Sequence, residues 1–332
     1  YLLNANANRE NRYSVESCSR SNEFGHITEL YLVDKSMTEI TEQLIYSSRN
    51  IVKMWLSHNS LSYLPIEMVE MSALCSIWLS NNMFDHIPCL PTTIRNIYID
   101  NNNVKSMKGV ERYTVLETLK IDCCKLDIIT DEIGFCTELV TLEAHKNNIS
   151  SISSNIGNLL KLKTLSLHSN KLFTIPKEIG KLRNLSYCSL HFNDIEDIPP
   201  TMNDMCSLLR LSLHNNRVYN IISLCLPNLQ VVSLFRNNLE HIPEEVCTCL
   251  VNCQKFAVQQ NRISIIPTTI KHMVSLDTLW IYDNKLLSLP NELNDLPKLN
   301  SVWLNEFEIK QFTNIRPCLF KIKAKSFDER EQ

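Results

Sequence analysis

The sequence predicts an α/β solenoid, a chain that grows by stacking similar units instead of closing around one globular core. Three observations carry that prediction. A pattern of spaced apolar residues restarts every 20 to 24 positions, an asparagine follows most of the Leu-x-Leu centres at a fixed distance, and a proline recurs at a fixed corner further on. Periods of this length mark arrays in which each unit buries its apolar face against its neighbours.

The pattern is plainest between Leu139 and Ile198. Leu139-x-x-Leu142-x-Ala144-x-x-Asn147-x-Ile149 is followed by Leu162-x-x-Leu165-x-Leu167-x-x-Asn170-x-Leu172 and Leu185-x-x-Cys188-x-Leu190-x-x-Asn193-x-Ile195. Aligned on the first apolar position, thirteen units begin at Ile27, Ile51, Leu74, Ile94, Leu116, Leu139, Leu162, Leu185, Leu208, Leu229, Cys253, Leu276 and Leu299. Residues 1–26 are polar and aperiodic, a leader or cap; 27–312 form the array; 313–332 form a second cap or a frayed tail.

Each part of the unit has a physical reason. Leu-x-Leu is a short strand whose alternate side chains point inward, so Leu165 and Leu167 enter the core while Thr164, Ser166 and His168 face out. The asparagine column (Asn59, Asn82, Asn102, Asn147, Asn170, Asn193, Asn216, Asn237, Asn261, Asn284) marks the bend, where a side-chain amide can satisfy backbone groups left unpaired. Lys35, Cys124 and Phe307 interrupt it. Corners at Pro65, Pro88, Pro176, Pro199, Pro243, Pro267 and Pro290 start the return by short helical or extended turns, as in Ile270-x-x-Met273-x-x-Leu276. The unit from Leu74 has only Cys89-Leu90-Pro91-Thr92-Thr93 for its return, too short for a helical turn, and predicts a local change in curvature.

The composite Leu-x-x-Leu-x-Leu-x-x-Asn-x-Leu-x-x-Leu-Pro-x-x-Ile-x-x-Leu resembles the leucine-rich repeat. The unit from Leu162 to Asn184, with Ile175-Pro176-Lys177-Glu178-Ile179-Gly180-Lys181-Leu182, resembles the roughly 23-residue intracellular class found in Ras-group scaffolds. The resemblance implies a curved right-handed horseshoe with a concave parallel sheet and a convex side of short helical, 3-10 and extended turns. It also implies a cytoplasmic signalling scaffold that binds a Ras-like small GTPase or a protein phosphatase. No outward residue matches a known GTPase contact individually.

Composition limits the alternatives. With 33 basic and 36 acidic residues the formal charge is only −3, which gives no ground for nucleic-acid binding. No apolar run reaches the 18 or so residues needed to span a bilayer, so no membrane span is expected. The 13 cysteines show no paired pattern flanking the array and are read as mostly reduced; Cys188 stands in for a core leucine. The sequons at Asn148 and Asn184 are what an asparagine- and serine-rich chain produces by chance.

Phosphate-loop, dinucleotide-fingerprint, His-Glu-x-x-His and Gly-x-Ser-x-Gly motifs are absent from the sequence, so no catalytic residue and no cofactor is expected. Specific information lies in the outward columns. The first runs Tyr31, Trp55, Trp78, Tyr98, Lys120, Glu143, four serines, Ala257, Trp280 and Trp303, and holds all four tryptophans. Outward tryptophan either covers the sheet or anchors a partner. The second column carries His145, His168, His191 and His214, then Phe235 and Tyr282. This ladder is either a duplicated polar surface residue or a pH-sensitive or metal-binding strip; no metal site is assigned. Cys247-x-Cys249-x-x-x-Cys253 has a superficial zinc spacing, but Cys249 and Cys253 fall on core positions of the repeat. The bend column adds Phe192 and Arg236, which with Lys146, Arg210 and Phe235 make a mixed apolar and basic patch suited to an acidic protein partner.

The sequence therefore predicts a non-catalytic, monomeric, cytoplasmic array that binds a protein partner on its concave face. Two alternatives remain: the recognition segment of a larger signalling enzyme (kinase, phosphatase, cyclase or ubiquitin ligase), and an extracellular receptor ectodomain.

Overall fold

The computed structural model describes residues 19–21, 26–221 and 224–322. The proposed leader up to residue 18 and the tail from residue 323 lie outside the described residues. The chain divides into two compact units, residues 1–149 with 158–162, and residues 150–157 with 163–332.

The Leu-x-Leu centres become three- to five-residue strands, most of them bracketing the first inward position, as Thr164–Ser166 brackets Leu165. In the first unit Ile27–Tyr31, Lys53–Trp55, Ser76–Trp78, Asn96–Tyr98, Thr118–Lys120 and Thr141–Glu143 pair in parallel and in sequence order. Ser19–Ser21 adds an antiparallel strand on Ile27–Tyr31. In the second unit the parallel series is Thr164–Ser166, Tyr187–Ser189, Arg210–Ser212, Val231–Ser233, Lys255–Ala257, Thr278–Trp280, Ser301–Leu304 and Phe320–Ile322. Register never slips along either series, so repeat positions align in straight columns: Lys120 faces Glu143, and Ser189 faces Ser212.

The core is one column of inward residues per repeat position. Leu165, Leu167, Leu172 and Leu182 in one repeat, and Leu185, Cys188, Leu190 and Ile195 in the next, are fully buried. The asparagine column sews neighbouring repeats together. Asn193 donates from Nδ2 to the carbonyls of Leu190 (2.9 Å) and Leu167 (3.1 Å), and its Oδ1 accepts from the Leu172 amide at 3.0 Å. Asn82 and Asn216 make the equivalent bonds. One side chain thereby satisfies three buried backbone groups, each of which costs about 1–3 kcal/mol if left unpaired. Cys124, in the same position, donates only weakly, from Sγ to the Ile99 carbonyl at 3.6 Å.

The corners behave as their prolines require. Pro65, Pro176, Pro199, Pro267 and Pro290 hold φ between −60° and −70° and each opens a five-residue 3-10 turn, while Pro243 opens the α-helix Glu244–Cys249. The return through residues 89–93 contains no helical turn, as its length demands. Adjacent 3-10 turns pack closely through glycine: a Cβ on Gly180 would lie 2.1 Å from the Thr201 carbonyl oxygen.

The α-helical return corrects one cysteine expectation. Cys247 and Cys253 are buried in the core, but Cys249 is half-buried and forms a disulfide with Cys225. A wider α turn in place of the usual 3-10 turn carries Val246 and Cys247 inward and leaves Cys249 at the helix end. Ten further described cysteines are free thiols.

Candidate functional site

The outward columns sit on this frame, and the bend after each strand determines how they end. At His58, Asn81, Asn101, Cys123, Lys146, Ser169, Phe192, Asn215, Arg236, Gln260 and Asp283 the backbone takes φ between 50° and 57°. This left-handed conformation costs a side chain bearing Cβ about 1 kcal/mol or more, with asparagine and aspartate tolerating it best. Asn81, Asn101, Asn215 and Asp283 follow that preference. Phe192 does not, and its ring is 50% exposed.

In the first unit Tyr31, Trp55, Trp78 and Tyr98 form one continuous ring stack, with centroids 4.2, 4.4 and 4.9 Å apart and planes within 10° of parallel. The in-register strands impose this spacing. Each inner ring is covered on both faces by its neighbours and all four are half-buried. The Tyr31 hydroxyl donates to Glu29 Oε2 at 2.6 Å, and the Arg20 guanidinium lies over the Tyr31 ring. Beyond Tyr98 the column turns ionic, with Lys120 Nζ 3.0 Å from Glu143 Oε2.

His145 belongs to the same unit. Its amide donates to Asp122 Oδ1 at 2.9 Å and its Nε2 stands 3.3 Å from the same oxygen. Burial pushes the Asp122 carboxyl up to about 7 and lowers the His145 imidazole. The contact therefore joins two partly neutralised groups and is not a full ion pair.

In the second unit His168, His191 and His214 stack face to face at 4.3 Å and 4.3 Å, and Phe235 continues the stack at 4.2 Å. Serines of the neighbouring column anchor two rings: His191 Nδ1 lies 2.9 Å from Ser189 Oγ, and His214 Nδ1 3.1 Å from Ser233 Oγ. Burial holds His214 down at about 4. The Phe192 ring packs edge-on to His191 and His214.

Column position does not set exposure. Phe235, Trp280 and Tyr282 pack with Ala257 into a cluster of their own, with Trp303 against it. Tyr282 is fully covered and Trp280 is 9% exposed, its Nε1 buried without a hydrogen bond. The exposed residues of the basic patch are Arg210 and Arg236 in the second unit, with Arg210 opposite Tyr187 on the neighbouring strand, and Lys146 in the first. The Arg236 Nε donates to Gln260 Oε1 at 2.7 Å.

Several features escaped the sequence. The left-handed bends have a sequence signal only where asparagine or aspartate occupies them, as at Asn81, Asn101, Asn215 and Asp283; the Asp122, Glu143 and His145 grouping crosses two columns and could not be read within either. No helix among the described residues is long and apolar enough to cross a membrane.

In-register parallel strands, a hydrogen-bonding asparagine ladder and 3-10 returns define a leucine-rich-repeat fold. A family model described as a leucine-rich repeat region matches residues 93–256. Comparison with curated proteins gives no match. Among solved structures, a leucine-rich-repeat protein of Leptospira interrogans is 22% identical, with 87% of this chain and 82% of that one covered at a TM-score of 0.68. The leucine-rich-repeat chain of FLRT2, in a complex with latrophilin 3 and Unc5D, is 20% identical, with 89% of each chain covered at 0.63. A chain of the PEPR1-AtPEP1 crystal structure is 23% identical over 92% of this chain and 46% of that one, at 0.70. At these identities the likeness establishes the fold. Repeats of this kind commonly present binding surfaces to other proteins.

Proposed function

We propose that this protein is a non-catalytic recognition module that binds a protein partner on the outward side of its parallel strands. Phe192 carries the proposal. A large apolar ring, half exposed, occupies a left-handed bend where the other repeats place smaller or polar residues such as Asn81, Ser169, Asn215 and Gln260, and Arg210 and Arg236 are exposed in the same unit. Strain and exposed apolar area together are a cost to the free chain that a bound partner offsets. The resemblance to Ras-group scaffolds supports the finer proposal, a cytoplasmic module whose partner is a small GTPase or a protein phosphatase with an acidic docking surface.

The test is affinity capture with the intact chain against two variants, Phe192→Asn with Arg210→Ser, and Trp55→Ser with Trp78→Ser. Loss of the same partner from the first variant supports the Phe192 face, and full retention by both removes the proposal.

The disulfide favours a second location. Cys225–Cys249 is what an oxidising compartment produces, and it supports an extracellular ectodomain. Thiol counting on protein isolated from its native source separates the two: a protected Cys225–Cys249 pair supports the ectodomain, and two reactive thiols there support the cytoplasm.

A further inference from the structure

The first unit brings three metal-ligand side chains to one point on the sheet. Lys120 faces Glu143 across adjacent strands, and two residues further along the same face Asp122 stands opposite His145, where the ladder continues through Ile121 N to Glu143 O and Cys123 N to His145 O. The four side chains are the corners of one rectangle. At three corners a donor atom of Asp122, Glu143 and His145 lies within 4.8 Å of the other two. Tetrahedral coordination at 2.0–2.2 Å places donors about 3.4 Å apart, so ordinary side-chain torsions close the gap.

We propose that Asp122, Glu143 and His145 form a site for a divalent first-row transition cation of the Zn2+ class, with Lys120 the counter-ion that it displaces. The donor set decides the class: one imidazole nitrogen and two carboxylates suit zinc-like ions, whereas Mg2+ and Ca2+ sites are built from oxygen alone. Asp122 is 6% exposed and its carboxylate is oriented by the His145 amide at 2.9 Å, the kind of support that fixes a ligand before the ion arrives. Asp100, which faces Asp122 from the preceding strand, adds negative potential. Two carboxylates balance a divalent ion. Lys120, bound to Glu143 at 3.0 Å and partly exposed, can swing into solvent. Three protein ligands leave a further position for water on the outward side. The site is independent of the partner proposal and stands in a different unit from Phe192.

The probe is Zn2+, titrated calorimetrically into the metal-stripped full chain, with Mg2+ as contrast. Free cysteines also take up zinc, so the readout is the difference between chains that share those thiols. The expected result is one equivalent in the wild type that Mg2+ does not reproduce, weakened at least tenfold in Glu143→Gln and in His145→Gln, and tightened about tenfold in Lys120→Met. Circular dichroism confirms that each variant is folded; both ligand positions are half-buried, so each change reads out without disrupting the core. Unaltered zinc affinity in His145→Gln and Glu143→Gln overturns the site. Unaltered affinity in Lys120→Met overturns the role given to the lysine.

Discussion

Gly180 and the Thr201 carbonyl meet across neighbouring 3-10 turns so closely that a Cβ on the glycine would lie 2.1 Å from the oxygen and 2.7 Å from its carbon. The obstruction is backbone, which cannot rotate away. Gly180→Ala should therefore destabilise the second unit by about 3 kcal/mol, the upper part of the overpacking range. Gly109→Ala, where φ is +99° but the added Cβ would meet the Ile87 carbonyl oxygen only at 4.0 Å, should cost about 1 kcal/mol. Urea unfolding of the two variants measures the difference, and equal costs would show that the turns can separate.

Asn193 serves three backbone groups belonging to two repeats. Asn193→Ala should cost at least about 3 kcal/mol, because the Leu167 and Leu190 carbonyls and the Leu172 amide lose their partner together. Asn193→Cys should fall between alanine and wild type, since a thiol retains a weak donor as Cys124 does. A cysteine variant no more stable than alanine would contradict the ladder's role.

Phe192→Asn should separate stability from binding. Asparagine relieves the left-handed strain at φ 53°, while the edge-on contacts with His191 and His214 are lost. The net gain in stability should be no more than about 1 kcal/mol, with partner affinity reduced. Thermal melting and partner titration on one preparation check both halves.

His214 makes stability depend on pH. Its folded value, about 4, lies below the ordinary 6.5 because the ring is buried between His191 and Phe235, with His168 and Arg236 adding positive charge and Ser233 at Nδ1. The unfolded chain thus takes up the proton first. Stability is full above pH 6.5 and falls as pH drops toward 4, by about 3 kcal/mol at most. His214→Phe should flatten that part of the profile in denaturant unfolding measured across the window; an unchanged slope would place the titration elsewhere.

Much of the fold was legible because a repeat states its rule many times. The spacing of Leu165, Leu167 and Asn170 alone implies strand, bend and core, and proline at 176 implies the turn that follows it. Prediction failed where one unit changed its return. At residues 244–249 an α turn replaced a 3-10 turn, and Cys249 left the core for a disulfide with Cys225. The outward columns were also legible as columns, yet Tyr31 to Tyr98 proved to be a ring stack and Tyr282 a covered side chain.

The sequence by itself determined which residues point inward, which point outward and in what order the strands lie, because period and alternation are local properties of the chain. Only the tertiary structure decided what each outward side chain meets. Register across strands places Lys120 against Glu143 and Asp122 against His145, stacks His168, His191 and His214, and buries Trp280 while leaving Phe192 half exposed. Contact and burial are set by neighbours some twenty residues away, and no single repeat contains them.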